Sequence, residues 1–184
     1  MSASRNHEIP RLGDASTLAP LVDEHYGSMH RLARLVGRHP DAAREAVRAA
    51  WLAVIEAPDA QPPELSLRAR LLRLVLEAVG AHDAPMEPQP VAPADDFEDP
   101  DGRWAGWWKD EQAKTPLPER ERLERILATL PAGLTALLVL RDAERLPAEE
   151  VEAVVGRSPD EQLRLLQYAR AAVRSALRAG DRGE

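Results

Sequence analysis

Three arginines near the carboxyl end of the chain, Arg170, Arg174 and Arg178, recur at intervals of four residues. On an α-helix this interval places the three guanidinium groups on one face, where they can follow the phosphates of a nucleic-acid backbone. Arginines opposite an apolar stripe are also often no more than the solvated face of a helix. The spacing is consistent with both interpretations.

The helix that carries these arginines has a well-marked beginning. Residues 158–161, Ser-Pro-Asp-Glu, supply a capping hydroxyl, a first-turn proline and the glutamate of a capping box. A short helix from Pro147 to a stop at Gly156, followed by this longer helix, predicts a helix-turn-helix or another helical hairpin. Asp160 and Glu161 satisfy free amide groups and the helix dipole, but they weaken affinity for phosphate. The predicted buried stripe is Leu163, Leu166, Val173 and Leu177.

Helical periodicity extends over most of the remaining chain. The amino-terminal part predicts three helices. The first has Tyr26 on its apolar face and ends at Gly37, the second begins at Pro40, and Ser66 caps the third. The carboxyl-terminal part begins near Pro118 and includes a short apolar helix over Leu134–Leu140. Because alanine, leucine and arginine dominate and aromatic residues are only 4%, we expect an all-α protein.

A proline-rich acidic stretch separates the two helical parts. Residues 86–118 hold eight acidic and three basic residues, which accounts for most of the net charge of −7 over 184 residues. The stretch has no sustained helical or strand period, so it is predicted to be an extended linker. The predicted organisation is a flexible tail over 1–16, a helical domain over 17–85, the linker over 86–117 and a second helical domain over 118–180.

Composition argues against several classes of function. The chain has no cysteine, which excludes disulfides, iron–sulfur clusters and thiolate zinc sites. It has no phosphate-binding loop, dinucleotide fingerprint or metalloprotease motif, and His25 and His30 miss the spacing of helical metal ligands. We therefore expect no enzyme activity, no metal and no cofactor. Because no secretory signal or membrane helix is found, we expect a cytoplasmic protein with no membrane partner.

The order of segments resembles the extracytoplasmic-function group of bacterial sigma factors, in which sigma regions 2 and 4 are joined by a flexible linker. Two segments resemble region 2: LVDEHYGSMHRLARLVGRHPDAAREAVRAAWLAV (21–54) and SLRARLLRLVLEAV (66–79). One long segment resembles region 4: LATLPAGLTALLVLRDAERLPAEEVEAVVGRSPDEQLRLLQYARAAVRSAL (127–177). A short segment, DGRWA (101–105), resembles a stretch that precedes region 4 in some members of the family. The resemblance implies a region 2-like helical bundle and a region 4-like helix-turn-helix.

The same resemblance implies partners for each part. In that family region 2 binds RNA polymerase core and opens promoter DNA, and here it implies polymerase contacts at Asp41, Glu45, Arg48 and Trp51. Region 4 inserts its last helix into the major groove, so Gln162, Arg164 and Gln167 are expected at base edges or phosphates, with the three arginines on the same helix. The linker follows the RNA exit path, where its acids either mimic RNA or form a solvated spacer: Asp95, Asp96, Glu98, Asp99 and Asp101.

Region 2 departs from the family pattern in two places. Ala42, Arg44 and Arg48 replace part of an acidic and glutamine pattern, and the stretch after the third helix lacks the aromatic pair and basic tail that grip melted DNA. The sequence therefore predicts a sigma-like transcription initiation factor that binds RNA polymerase and promoter DNA. The alternative is a degenerate sigma-like module that regulates transcription through an anti-sigma or other protein, without promoter melting.

Overall fold

The computed structural model describes residues 15–57, 65–87 and 117–181, and within these ranges it contains helices and no strand, as the sequence predicts. An N-terminal block contains α1 (Ala15–Gly37), α2 (Pro40–Glu56) and α3 (Leu67–Ala78). A C-terminal block contains α4 (Leu117–Leu127), α5 (Ala132–Leu138), a π-helical turn (Val139–Ala143), α6 (Ala148–Val155) and α7 (Pro159–Asp181). Most of the predicted tail lies outside the described residues, as do the acidic linker residues Asp95, Asp96, Glu98, Asp99 and Asp101.

The N-terminal block is a three-helix bundle in which each helix packs against the other two. Pro40 occupies the first turn of α2, where its missing amide hydrogen has no partner to lose. Ser66 caps α3 by accepting a hydrogen bond from the Ala69 amide at 3.2 Å. Both predicted helix starts are confirmed, and they let the helices bury Met29, Leu32, Val47, Val54, Leu71 and Val75 in a shared core.

Tyr26, predicted on the apolar face of the first helix, and Leu163, predicted in the buried stripe of the last helix, are both exposed. Tyr26 is 42% exposed and stacks on His30 with ring centroids 5.5 Å apart, and Leu163 is 44% exposed. Leu163 lies at the edge of the apolar stripe of α7. The buried centre of this stripe consists of Gln162, Leu166, Ala169 and Val173. The predicted stripe of α7 is therefore displaced by one residue at its amino end.

A π-helical turn interrupts the helix predicted over Leu134–Leu140. α5 ends at Leu138, and the Glu144 amide donates to the Val139 carbonyl at 2.8 Å, a bond that spans five residues instead of four. The wider turn directs neighbouring carboxylates to different parts of the molecule. Asp142 contacts α7, whereas Glu144 contacts the N-terminal block.

The two blocks pack against each other. α1 contacts α5, and α3 contacts α6, so that buried apolar residues of both blocks form one continuous core. The approach is close at Gly133 of α5, where a Cβ atom would lie 2.6 Å from Met86 Cγ and 2.7 Å from the Ala84 carbonyl oxygen. We call this packing of the blocks the closed arrangement.

Candidate nucleic-acid surface and block interface

The turn between α6 and α7 has the geometry that the sequence predicts. Gly156 ends α6 in the left-handed conformation with φ of 68°, which glycine adopts without steric cost. The Glu161 amide donates to Ser158 Oγ at 3.4 Å, and the Ser158 amide donates to Glu161 Oε2 at 3.1 Å. This reciprocal pair is a capping box, and it fixes the angle at which α7 leaves the turn.

Negative charge is stabilised at the amino end of α7. Hydrogen bonds from the backbone amide and hydroxyl of Ser158, with the nearby charges of Arg157 and Arg164, hold the pKa of Glu161 below its ordinary value. Asp160 beside it is exposed. The first turn of α7 therefore carries two carboxylates where an anionic ligand would otherwise meet free amide groups.

Gln162, predicted at base edges, is buried in this structure. Only 1% of its surface is exposed, and its Nε2 donates to the carbonyl oxygens of Ala148 at 2.9 Å and Arg157 at 2.7 Å. These bonds tie α7 to the start of α6 and to the turn. In the closed arrangement Gln162 thus has a structural role and does not reach the surface, because its position lies at the centre of the apolar stripe.

Arg170 is also buried, at 5% exposure, and it forms a two-pronged ion pair with Asp142. Its Nε lies 3.0 Å from Oδ2, and its Nη2 lies 2.5 Å from Oδ1. Arg174 is half-buried, and the side chain of Arg178 lies outside the described residues. The expected solvent-facing row of three arginines is therefore wrong at Arg170, whose charge is used inside the C-terminal block.

Arg164 and Gln167 are the predicted nucleic-acid contacts that are exposed. They lie three residues apart on α7, an interval that places both side chains on one helical face. Arg164 supplies a guanidinium for a phosphate or a guanine edge, and Gln167 supplies an amide for an adenine edge. Their contact with DNA remains a prediction.

The predicted polymerase surface on α2 consists of paired charges. Asp41 accepts a hydrogen bond from Arg44 at 2.8 Å, and Glu45 accepts one from Arg48 at 3.0 Å. The hydrogen bond from Arg48 holds the pKa of Glu45 below its ordinary value. Trp51 does not belong to this surface: it is 6% exposed, and its ring lies 6.4 Å from that of His25.

Leu52 takes the exposed position next to Trp51. It is 38% exposed and comes after Glu45 and Arg48 along the solvent face of α2. The α2 face therefore combines two ion pairs with one apolar side chain. Helical spacing could have identified this arrangement, because Trp51 is four residues from Val47 and three from Val54 on the buried stripe.

The most buried charge at the block interface is Glu144, which is 2% exposed. Arg31 Nε donates to Glu144 Oε1 at 2.7 Å, and Arg68 donates to the other carboxylate oxygen. Burial alone would raise the pKa of Glu144, but hydrogen bonds from Ser28, Arg31 and Arg68 and the Arg31 charge outweigh burial and lower it. We call these four residues the Glu144 clasp. Sequence reasoning missed it because its members are far apart in the chain.

Further polar contacts join the two blocks, and each has its donor in the N-terminal block. Arg34 pairs with Glu124 at 2.9 Å, Arg38 donates to the Leu130 carbonyl at 2.9 Å, and Ser66 donates to Glu150 at 2.8 Å. Arg73 donates to the Ala153 carbonyl at 3.2 Å. In the described interface, the N-terminal block thus presents donors, mostly arginines, to acceptors of the C-terminal block.

Two other kinds of site are absent from the part of the chain that the structure describes. In those ranges no three His, Asp or Glu side chains are grouped so that they could hold a metal ion. No helix in the same ranges is long and apolar enough to span a bilayer.

The helical order and packing define an extracytoplasmic-function sigma-like fold. Among solved structures, the chain is similar to that of CnrH in complex with the cytosolic domain of CnrY, with a TM-score of 0.64 and 20% sequence identity. The match covers 92% of this chain and 92% of that chain. No protein-family model and no curated protein matches the sequence.

Proposed function

We propose that this chain is a sigma-like transcription initiation factor that binds bacterial RNA polymerase core and directs it to promoters through α6 and α7. The observation that carries the proposal is the capped turn between α6 and α7, in which Gly156 and the Ser158–Glu161 box hold α7 with Arg164 and Gln167 exposed. The sigma-like fold of the described residues supports it. The carboxylates at the start of α7 imply weak DNA binding by the free chain.

The other parts of the chain have corresponding roles in this proposal. The solvent face of α2, with Asp41, Glu45 and Arg48, contacts the polymerase, and Leu52 replaces Trp51 as its apolar member. The acidic linker follows the positively charged path of the RNA. The protein acts in the cytoplasm without a metal or cofactor.

The direct test is assembly with core polymerase followed by transcription. The purified chain is mixed with core polymerase on a sizing column, and the co-eluting complex is assayed for run-off transcription on fragmented genomic DNA. We expect co-elution and promoter-dependent transcripts. A Glu45→Lys variant, which reverses a charge on the exposed face of α2, is expected to bind core more weakly, whereas Glu56→Lys at the exposed end of that helix serves as the control. Absence of both co-elution and transcripts would contradict the proposal.

A second function is favoured by the burial of Gln162 and Arg170 and by the pairing of charges on α2. In this alternative the chain is a sigma-like interaction module that binds a regulatory protein, such as an anti-sigma factor, and does not melt promoters. CnrH, a structural neighbour, was solved in complex with the cytosolic domain of another protein, CnrY. Sequence-specific DNA binding that falls steeply with salt and is lost in Arg164→Ala would argue against it.

A further inference from the structure

The Glu144 carboxylate belongs to one block, but its side-chain partners in the described residues belong to the other. Ser28 and Arg31 lie on α1, Arg68 lies on α3, and Glu144 comes directly after the π-helical turn of the C-terminal block. Inside the closed arrangement the carboxylate is 1% exposed and depends on these partners for its charge to be tolerated. If the blocks separate, water replaces all three partners.

Separation of the two blocks breaks the clasp, whereas it leaves a surface ion pair within one helix intact. Removing a partner from a buried charge penalises only the closed arrangement, because the open one solvates the charge. The exposed pair of Asp41 and Arg44 lies within α2 and is the same whether the blocks touch or not. The donors that the N-terminal block presents along the interface reinforce the clasp, since each acceptor comes from the other block.

We propose that the Glu144 clasp holds the free chain in the closed arrangement and thereby lowers its affinity for RNA polymerase core. Closure by the clasp follows from the contacts at the block interface alone, whereas the effect of closure on polymerase affinity rests on the proposed function. In the proposed function the N-terminal block contacts polymerase through α2 and the C-terminal block contacts promoter DNA through α7, and the two blocks separate to reach these two partners. The observed affinity is then the affinity of the open chain multiplied by the fraction of chains that are open.

The test of closure uses variants of the full chain. Glu144→Gln keeps the shape of the side chain and removes its charge, and Arg31→Gln removes one donor whose side chain is 40% exposed and fills no core. Glu149→Gln makes the same charge change at an exposed position five residues further along and serves as the control. Because the chain has no cysteine, fluorophores attach cleanly at Ala42→Cys on α2 and Glu152→Cys on α6, both exposed positions.

Energy transfer between the labels and the radius of gyration from small-angle scattering report opening, and circular dichroism reports folding. We expect Glu144→Gln and Arg31→Gln to raise the ratio of open to closed chains about tenfold or more, with helicity retained, and Glu149→Gln to leave it unchanged. Should Glu144→Gln unfold, Arg31→Gln carries the test. Unchanged energy transfer and radius in a folded clasp variant would overturn the proposal.

The effect of closure on polymerase affinity is tested by titrating core polymerase against the same variants. We expect Glu144→Gln to bind core about tenfold more tightly than Glu149→Gln. Equal binding by two variants that differ in opening would show that closure does not inhibit. Absence of polymerase binding by every variant would overturn the proposed function and the effect of closure on polymerase affinity with it, while closure by the clasp is judged from energy transfer alone.

Discussion

Arg170 of α7 and Asp142 of the π-helical turn face each other inside the C-terminal block, and each side chain is 6% exposed. Two parallel hydrogen bonds join the guanidinium to the carboxylate. A buried pair of this geometry fixes direction as well as distance. The pair therefore sets the rotation of α7 about its axis, and with it the direction in which Arg164 and Gln167 face solvent.

Replacing Asp142 with Asn is expected to destabilise the fold strongly. The change withdraws the charged partner of a buried guanidinium, which costs about 3 to 5 kcal/mol in comparable sites. Urea unfolding followed by circular dichroism measures the loss. Asp41→Asn is the matched control, because its pair with Arg44 is largely exposed and is worth about 1 kcal/mol or less. Equal effects of the two substitutions would contradict the structural role of the pair.

Loss of the capping hydroxyl in Ser158→Ala is expected to lower the free energy of unfolding by about 1 kcal/mol. The Glu161 amide then loses the acceptor that Ser158 Oγ provides at 3.4 Å. Ser175→Ala, an exposed change in the interior of the same helix, is expected to be neutral or slightly stabilising. Chemical denaturation of both variants under one set of conditions checks the difference in sign.

Arg164→Ala is expected to weaken promoter binding without affecting folding. Arg164 is exposed, so its removal is expected to change stability by about 0.5 kcal/mol or less. If it contacts a phosphate, the slope of log affinity against log salt falls by about 1. Polarisation titrations of the polymerase-bound protein at several salt concentrations provide the measurement. Arg120→Ala, at an exposed arginine on α4, should leave the slope unaltered, and a matching drop there would point to a nonspecific charge effect.

Acid is expected to open the closed arrangement. The pKa of Glu144 is lowered in the fold, so its stabilising contribution is complete above its ordinary pKa of 4.5 and is lost as pH falls through the lowered value. The groups that face it are Ser28 and Arg31 from α1 and Arg68 from α3. Scattering from pH 7 to pH 3 should show expansion beginning below about pH 4.5.

The control for this acid transition is Glu144→Gln, which should lack the component below pH 4.5. His25 is a second acid-sensitive group, because burial lowers its pKa below the ordinary value of 6.5. Protonation of His25 therefore costs stability below pH 6.5 in both proteins. An identical profile for the wild type and Glu144→Gln would show that Glu144 does not govern the transition.

Two glycine substitutions are expected to have opposite signs. Gly27 lies in α1 with nothing within 4 Å of an added Cβ, so Gly27→Ala should stabilise by about 0.5 to 1 kcal/mol through helix propensity. At Gly133 the added Cβ would meet the carbonyl oxygens of Ala84 at 2.7 Å and Pro85 at 2.9 Å. Gly133→Ala should therefore destabilise by about 1 to 3 kcal/mol, as seen for overpacked sites. Thermal unfolding distinguishes the two, and stabilisation at Gly133 would contradict the close approach.

Local signals in the sequence predict much of this fold because they act over a few residues. Pro40, Ser66, Gly156 and the Ser158 box each mark a helix end that the structure confirms. The displaced stripe at Leu163 shows where periodicity is weak, since a buried polar residue such as Gln162 carries no apolar signal. The clasp at Glu144 depends on residues more than 70 positions apart, which no local pattern encodes.

The candidate DNA surface was only partly predictable for the same reason. Spacing places Arg170 and Arg174 on one face of α7, but it does not reveal that Asp142, 28 residues earlier, draws Arg170 inward. Arg164 and Gln167 are exposed as expected, because they lie opposite the apolar stripe. Helical geometry thus predicts which face a residue occupies, and tertiary charge pairing decides whether that face meets solvent.

The extra residue in the Val139–Ala143 turn has a consequence for variation in chain length. Each residue of a helix rotates the next part of the chain by about 100°, so deleting one position there would swing both Asp142 and Glu144 away from their arginines at once. Most connections between helices tolerate insertions and deletions. This one should not, and sequences that descend from a common ancestor with this chain should preserve the length of that turn even where its residues differ.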